Sequence, residues 1–204
     1  NASFVGMKAH LDQLHTRLYK AKKRAERLVA VLICGGPGTG KSHLARQYVW
    51  THRAFYPGGV FWVDAKSRQS TFKCFWDIVQ AAALNEGEVF EYPDTNTSQK
   101  YVDSVRNWLQ AREEWLLVFD GVSFGQDSDL NDFKQFLPFN KKCSIIYTSV
   151  DKTLRKKQRL YEPFCLSVKP LEVTEACKLL FEDLGHQETH QGANPQSHCA
   201  CRAL

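Results

Sequence analysis

An α/β domain built on a mainly parallel sheet is the fold class this sequence predicts, and three observations carry the prediction. Five short runs rich in apolar and β-forming residues punctuate the chain, helical patterns or loops separate each from the next, and a glycine-rich turn joins the first run to the helix that follows. Strands that alternate with helices lie parallel, are covered on both faces, and gather ligands at their carboxyl ends.

Leu11, Leu14 and Leu18 recur at helical spacing ahead of a basic stretch, so residues 7–26 read as an amphipathic helix. The apolar run Leu28–Cys34 is a buried first strand. It enters the turn, after which Ser42–Thr51 continues as a helix. Pro57-Gly58-Gly59 then breaks the chain before the second strand, Val60-Phe61-Trp62-Val63-Asp64. Helical patterning returns over Thr71–Leu84 and over Ser98–Arg112, where Tyr101, Val105, Trp108 and Leu109 share a face; a polar loop, 85–97, lies between. Trp115–Asp120, Cys143–Thr148 and Phe164–Val168 supply strands three to five. A last helix is predicted over Leu171–Leu184, with Ala176, Leu179, Leu180 and Leu184 on its apolar stripe and Gly185 stopping it. The polar remainder, 186–204, reads as a disordered tail. His186, His190, His198, Cys199 and Cys201 fall within it, at a spacing too irregular for a metal site.

Composition narrows the class. At 204 residues the chain suits one domain, and 43% hydrophobic against 24% charged residues excludes disordered and collagenous chains. The net charge of +5 is mild and concentrates in Lys20–Arg27 and Lys152–Arg159, which read as solvated faces rather than a nucleic-acid surface. Seven cysteines, odd in number and without a CxxC pair, fit buried thiols in a reducing compartment. No apolar run approaches the ~20 residues that span a bilayer, and no signal peptide opens the chain, so a cytoplasmic location is expected. Asn96-Thr97-Ser98 matches a glycosylation acceptor, which has no meaning without a secretory route. The first residue is Asn1 rather than Met, as expected of a piece of something longer.

The chemistry sits in the turn. Gly35-Gly36-Pro37-Gly38-Thr39-Gly40-Lys41-Ser42 fits G-x-x-x-x-G-K-[ST] in full, between a buried strand and a helix start, the context this phosphate-binding motif requires. Gly36, Gly38 and Gly40 let the backbone around Thr39 turn its N–H groups inward, and the helix N-terminus adds partial positive charge. The N–H groups of Gly38, Gly40 and His43 are placed to meet phosphate oxygens, Lys41 to neutralise the β and γ oxygens, and Ser42 to hold Mg2+ through its hydroxyl. ATP or ADP with magnesium is the ligand expected. Asp120, led in by Trp115-Leu116-Leu117-Val118-Phe119, stands where a second magnesium ligand belongs, so Lys41 and Asp120 are the candidate catalytic pair. In many hydrolytic sites a second acid follows and orients the attacking water; here the next residue is Gly121.

In this order the pieces resemble the NB-ARC module of STAND NTPases, found in plant resistance receptors, apoptosome-type activators and many fungal and bacterial receptors. The resemblance covers residues 3–184. Phe4-Val5-Gly6 with the leucines that follow looks like the opening motif and helix, Gly58–Asp64 like the second strand, and Trp108–Asp120 like the Walker B segment. Ser144-Ile145-Ile146-Tyr147-Thr148-Ser149 is similar to the sensor strand, and Lys169-Pro170-Leu171 with Glu175-Ala176 and Leu180-Phe181 to the start of a helical lid.

The resemblance implies a sheet order of five-one-four-three-two, Thr148 and Ser149 facing the γ-phosphate, and Phe4 and Val5 against the adenine. It divides the chain into a nucleotide-binding domain (1–170), the start of a lid (171–185) and the tail (186–204). It implies a signalling switch, as in innate immunity, set by ATP or ADP, flanked by effector and sensor domains, and able to form a ligand-induced homo-oligomer. Three departures stand out: Met7 replaces an arginine of the opening motif, Gly121 the second acid, and Val150 an arginine ending the sensor strand. Beyond Gly185 neither the lid's Gly-Leu-Pro segment nor a Met-His-Asp triplet is present. The alternatives to a switch with slow or no hydrolysis are an active P-loop ATPase, a small-molecule phosphotransferase, and an interaction module that has lost its ligand.

Overall fold

A computed structural model describes residues 7–20, 28–84, 98–125, 127–139, 143–177 and 179. Five strands form its sheet: β1 (Val29–Cys34), β2 (Val60–Asp64), β3 (Leu116–Asp120), β4 (Ser144–Ser149) and β5 (Phe164–Ser167). Their order is β2-β3-β4-β1-β5 and every pairing is parallel. Read from the other edge, this is the five-one-four-three-two order expected. Among the described residues the helices are α1 (Lys8–His15), α2 (Lys41–His52), α3 (Arg68–Ala81), α4 (Ser98–Gln110) and α5 (Asp127–Phe133).

Strand alternation sorts the side chains into two cores. Leu32, Phe119, Ile145 and Tyr147 pack with Phe75 and Ile78 of α3 and Val102 and Val105 of α4. Val31, Ile33, Val118 and Ile146 pack with Leu14 and Leu18, and with Leu44 and Tyr48 of α2, on the opposite face. Trp115 anchors the first core: it is fully buried and donates its indole N–H to the Leu109 carbonyl at 2.7 Å.

Most predicted elements stand within a residue or two of their expected ends, and the differences have physical causes. The first helix keeps α-form only over Lys8–His15 and continues as a π-helical turn over Thr16–Lys20; the rest of the 7–26 prediction lies outside the described residues. Helix α3 begins three residues before Thr71, because Ser67 and Ser70 close a capping box on its first turn. Helix α5 and three short 3-10 helices, Lys134–Phe136, Lys152–Lys156 and Gln158–Leu160, carry too few residues to show a period. The expected helix Leu171–Leu184 is described only in part, being helical over 173–177, and the predicted tail lies outside the described residues.

Helix α1 and the π-helical turn that continues it are held on α2 by Leu14 and Leu18 and by a ring stack. His15 lies 4.4 Å from His52, which in turn stacks on Tyr48 at 4.5 Å. Burial lowers the pKa of His52, against the opposing pull of the Tyr48 carbonyl and Asp12. The packing matters to the site, because α1 delivers Met7 to the glycine turn.

Candidate functional site

The turn between β1 and α2 is shaped by glycines at two left-handed positions, Gly38 (φ +72°) and Gly40 (φ +85°). Gly40 is also the N-cap of α2, and no side chain caps that end, so the first amides of the helix are left to an incoming acceptor. Lys41 donates its ammonium proton to the Gly36 carbonyl at 2.6 Å, and Thr39 donates its hydroxyl to the same oxygen at 3.0 Å. A cation is thus folded over the turn, ready to exchange a carbonyl for a phosphate oxygen. His43 lies exposed one residue after Ser42.

The turn is seated from behind. Val168 donates its N–H to the Cys34 carbonyl at 2.7 Å, and a Cβ on Gly35 would stand 2.3 Å from the Val168 carbonyl oxygen. Gly35→Ala therefore sets backbone against backbone and is expected to lower stability by about 1–3 kcal/mol. Gly36→Ala, whose Cβ would meet only the Thr39 methyl at 3.7 Å, is expected to shift stability by no more than about 0.5 kcal/mol. Denaturation midpoints of the two variants check this pair.

Asp120 ends β3, only 4% exposed, and its Oδ1 accepts two hydroxyl protons: from Ser42 at 2.6 Å and from Thr148 at 2.6 Å. Thr148 Oγ1 accepts in turn from the Gly121 N–H at 2.8 Å. One continuous line of hydrogen bonds so joins the start of α2, the end of β3 and the end of β4. Hydroxyl and carboxylate oxygens are the hard donors Mg2+ selects, and one or two protein oxygens with waters and phosphate complete its shell. Ser42 and Asp120 fit that role. Among the described residues no group of three or more His, Cys, Asp or Glu is gathered to hold a metal unaided, so phosphate would have to share it.

Thr148 and Ser149, expected on one ligand, part company. Thr148 lies on the face of Ile146 with Asp120 and Ser42, whereas Ser149 follows Ile145 and Tyr147 to the opposite face. Ser149 is 2% exposed, donates to the Val122 carbonyl at 2.6 Å and accepts from the Asp151 N–H at 3.0 Å. It fastens the turn after β3 to β4. Val150, where the resemblance expects an arginine, is 54% exposed. Phe4 and Val5 lie outside the described residues.

Two contacts were not visible in the sequence. Met7 is buried against Gly40, whose Cβ would stand 2.8 Å from the Met7 methyl, so the residue in the arginine's place packs on the turn itself. Lys66 lies over Gly121. Beside it opens a cavity of about 200 Å³, lined by Lys66, Arg68, Thr71, Phe124, Asp129 and Asp132 among others.

The family model of the NB-ARC domain matches residues 7–190. The chain belongs to the NB-ARC family. No curated protein sequence matches it. Among solved structures, the NB-ARC domain is similar to Cdc6p from Pyrobaculum aerophilum, with a TM-score of 0.65 at 12% identity, covering 91% of this chain and 52% of that one. It is also similar to the Orc1 protein of Aeropyrum pernix, solved in complex with DNA, with a TM-score of 0.62 at 16% identity over 90% of this chain and 50% of that one. Domain III of the replication initiation protein DnaA from Thermotoga maritima gives a TM-score of 0.54 at 16% identity, over 93% and 74%. At these identities the likeness shows the fold alone. The chain spans about half the length of the first two. Among the described residues no helix is long and apolar enough to cross a membrane.

Proposed function

We propose that this NB-ARC domain is an ATP- and ADP-binding regulatory switch of a STAND-type signalling protein, with slow or no hydrolysis. The observation that carries the reading is the hydrogen-bonded line Ser42–Asp120–Thr148–Gly121, in which the acid suited to magnesium is followed by a glycine instead of a base.

Bound nucleotide would draw the Lys41 ammonium from the Gly36 carbonyl to the β and γ oxygens, while the amides at the start of α2 receive phosphate. Magnesium, held by Ser42 and Asp120, would supply charge neutralisation between the phosphates. Ser42 would offer a hydroxyl lone pair to the metal while its proton, like that of Thr148, stays available to Asp120 Oδ1. Because Thr148 also accepts from Gly121, and its carbonyl accepts from Val122 at 2.8 Å, a change at the carboxylate is felt in the turn after β3. Occupancy biases the packing of flanking effector and sensor domains, or assembly with further copies, only by binding one arrangement more tightly than the other.

Position 121 offers no carboxylate to take a proton from water. Phosphate release under saturating ATP and magnesium is therefore expected at or below about 0.01 per second, the range of P-loop switches acting without an added catalytic group. Turnover of many per second, ordinary for enzymes, would instead support an active ATPase.

A further inference from the structure

Gly121 stands where a hydrolytic site carries its second acid, and the space beyond its Cα is filled. A Cβ built there would lie 2.6 Å from Lys66 Cγ, with Cε and Cδ at 3.5 and 3.6 Å. The stem of Lys66 thus runs along the backbone directly after the metal-holding aspartate. Asp64 and Asp120 are register partners at the ends of β2 and β3, so their side chains leave the same face of the sheet. Lys66 folds back on Asp64: its N–H donates to Oδ1 at 3.1 Å and its ammonium lies 3.7 Å from Oδ2.

We propose that Lys66 replaces the missing acid with a cation, and that it distinguishes triphosphate from diphosphate by attracting the terminal phosphate where a hydrolytic site would hold its base. The proposal rests on the nucleotide-binding reading above. Three features support it. The ion pair with Asp64 is long and exposed, at 69% for lysine and 38% for aspartate, so exchanging it for a phosphate costs little. The backbone under the lysine stem is bound through Thr148 and Asp120 to Ser42, which places the residue at the metal end of the site. Lysine is a compact charge on a flexible four-carbon stem, suited to follow a phosphate that is present in one ligand and absent in the other.

The left-handed conformation of Gly121, φ +84°, adds to the exclusion. An acid restored there would meet both backbone strain and the lysine stem.

The test is titration of the whole chain, with magnesium, using ADP and an ATP analogue with a methylene bridge between the β and γ phosphates. Wild type is compared with Lys66→Met, which keeps the stem, and Lys66→Arg, which keeps the charge. Expected is a loss of about tenfold in analogue affinity for Lys66→Met, the worth of one charge-assisted hydrogen bond, with ADP affinity held within about twofold and most of the loss recovered in Lys66→Arg. An unchanged ratio of analogue to ADP affinity in Lys66→Met, or equal loss for both ligands, overturns the role of Lys66 while leaving the switch intact. Wild type that binds neither ligand overturns the switch reading, and the lysine's role with it.

Discussion

Lys41→Ala is expected to weaken ATP binding by about 100-fold or more, since the ammonium would make two charge-assisted hydrogen bonds of about 1.5–3 kcal/mol each to the β and γ oxygens. ADP, which presents no γ-phosphate, is expected to lose less. The loss belongs to ligand binding rather than folding. Among the described residues the Lys41 ammonium is bonded to the Gly36 carbonyl, in an exposed contact. Stability without ligand should therefore move by no more than about 0.5 kcal/mol. Isothermal titration of both nucleotides, with a thermal melt as control, separates these effects. Heats unchanged by the substitution would mean that the glycine turn has lost its ligand and that the chain is an interaction module.

The turn could be read in advance because its chemistry is local. Strand, glycines, lysine and hydroxyl follow one another in fourteen residues, Val29–Ser42, and each is needed where it stands. Asp120 was legible for the same reason, as a carboxylate closing an apolar run. The strand order was not in the periodicity at all; it came with the resemblance, and the parallel ladder bears it out. Thr148 and Ser149 show what a motif conceals. Read as neighbours, they suggest a shared ligand, yet a strand sends adjacent side chains to opposite faces, and only Thr148 reaches Asp120. The start of α3 is marked locally by the Ser67-x-x-Ser70 spacing of a capping box, with serine in the place of the usual Glu or Gln. Lys66 over Gly121 and Met7 against Gly40 lie beyond any local pattern, because each contact closes a loop of tens of residues through the tertiary fold.

Asp120→Asn should dissociate function from stability. The carboxylate is buried, and among the described residues no Lys, Arg or His pairs with it; two hydroxyl donors alone meet Oδ1. Holding such a charge away from water costs free energy that hydroxyl bonds offset only in part. Asparagine keeps the shape and an acceptor oxygen for Ser42 and Thr148 while removing the charge, so the unliganded variant is expected to be as stable as wild type or more so. Its response to magnesium should nevertheless disappear. Where added magnesium tightens ATP binding to wild type by about tenfold or more, the worth of a charged metal ligand, the variant should change by less than about twofold. Titrations with magnesium and with chelator, beside denaturation of the free protein, measure both quantities. Equal magnesium dependence in variant and wild type would move the metal elsewhere. A large loss of stability would instead show that the hydrogen-bonded line from Ser42 to Gly121 exists to hold the sheet together, with the nucleotide a secondary user of it. The expected result has a direct physical meaning: a carboxylate that destabilises the empty site is retained because bound metal compensates it, and that compensation makes the domain's energy depend on its ligand.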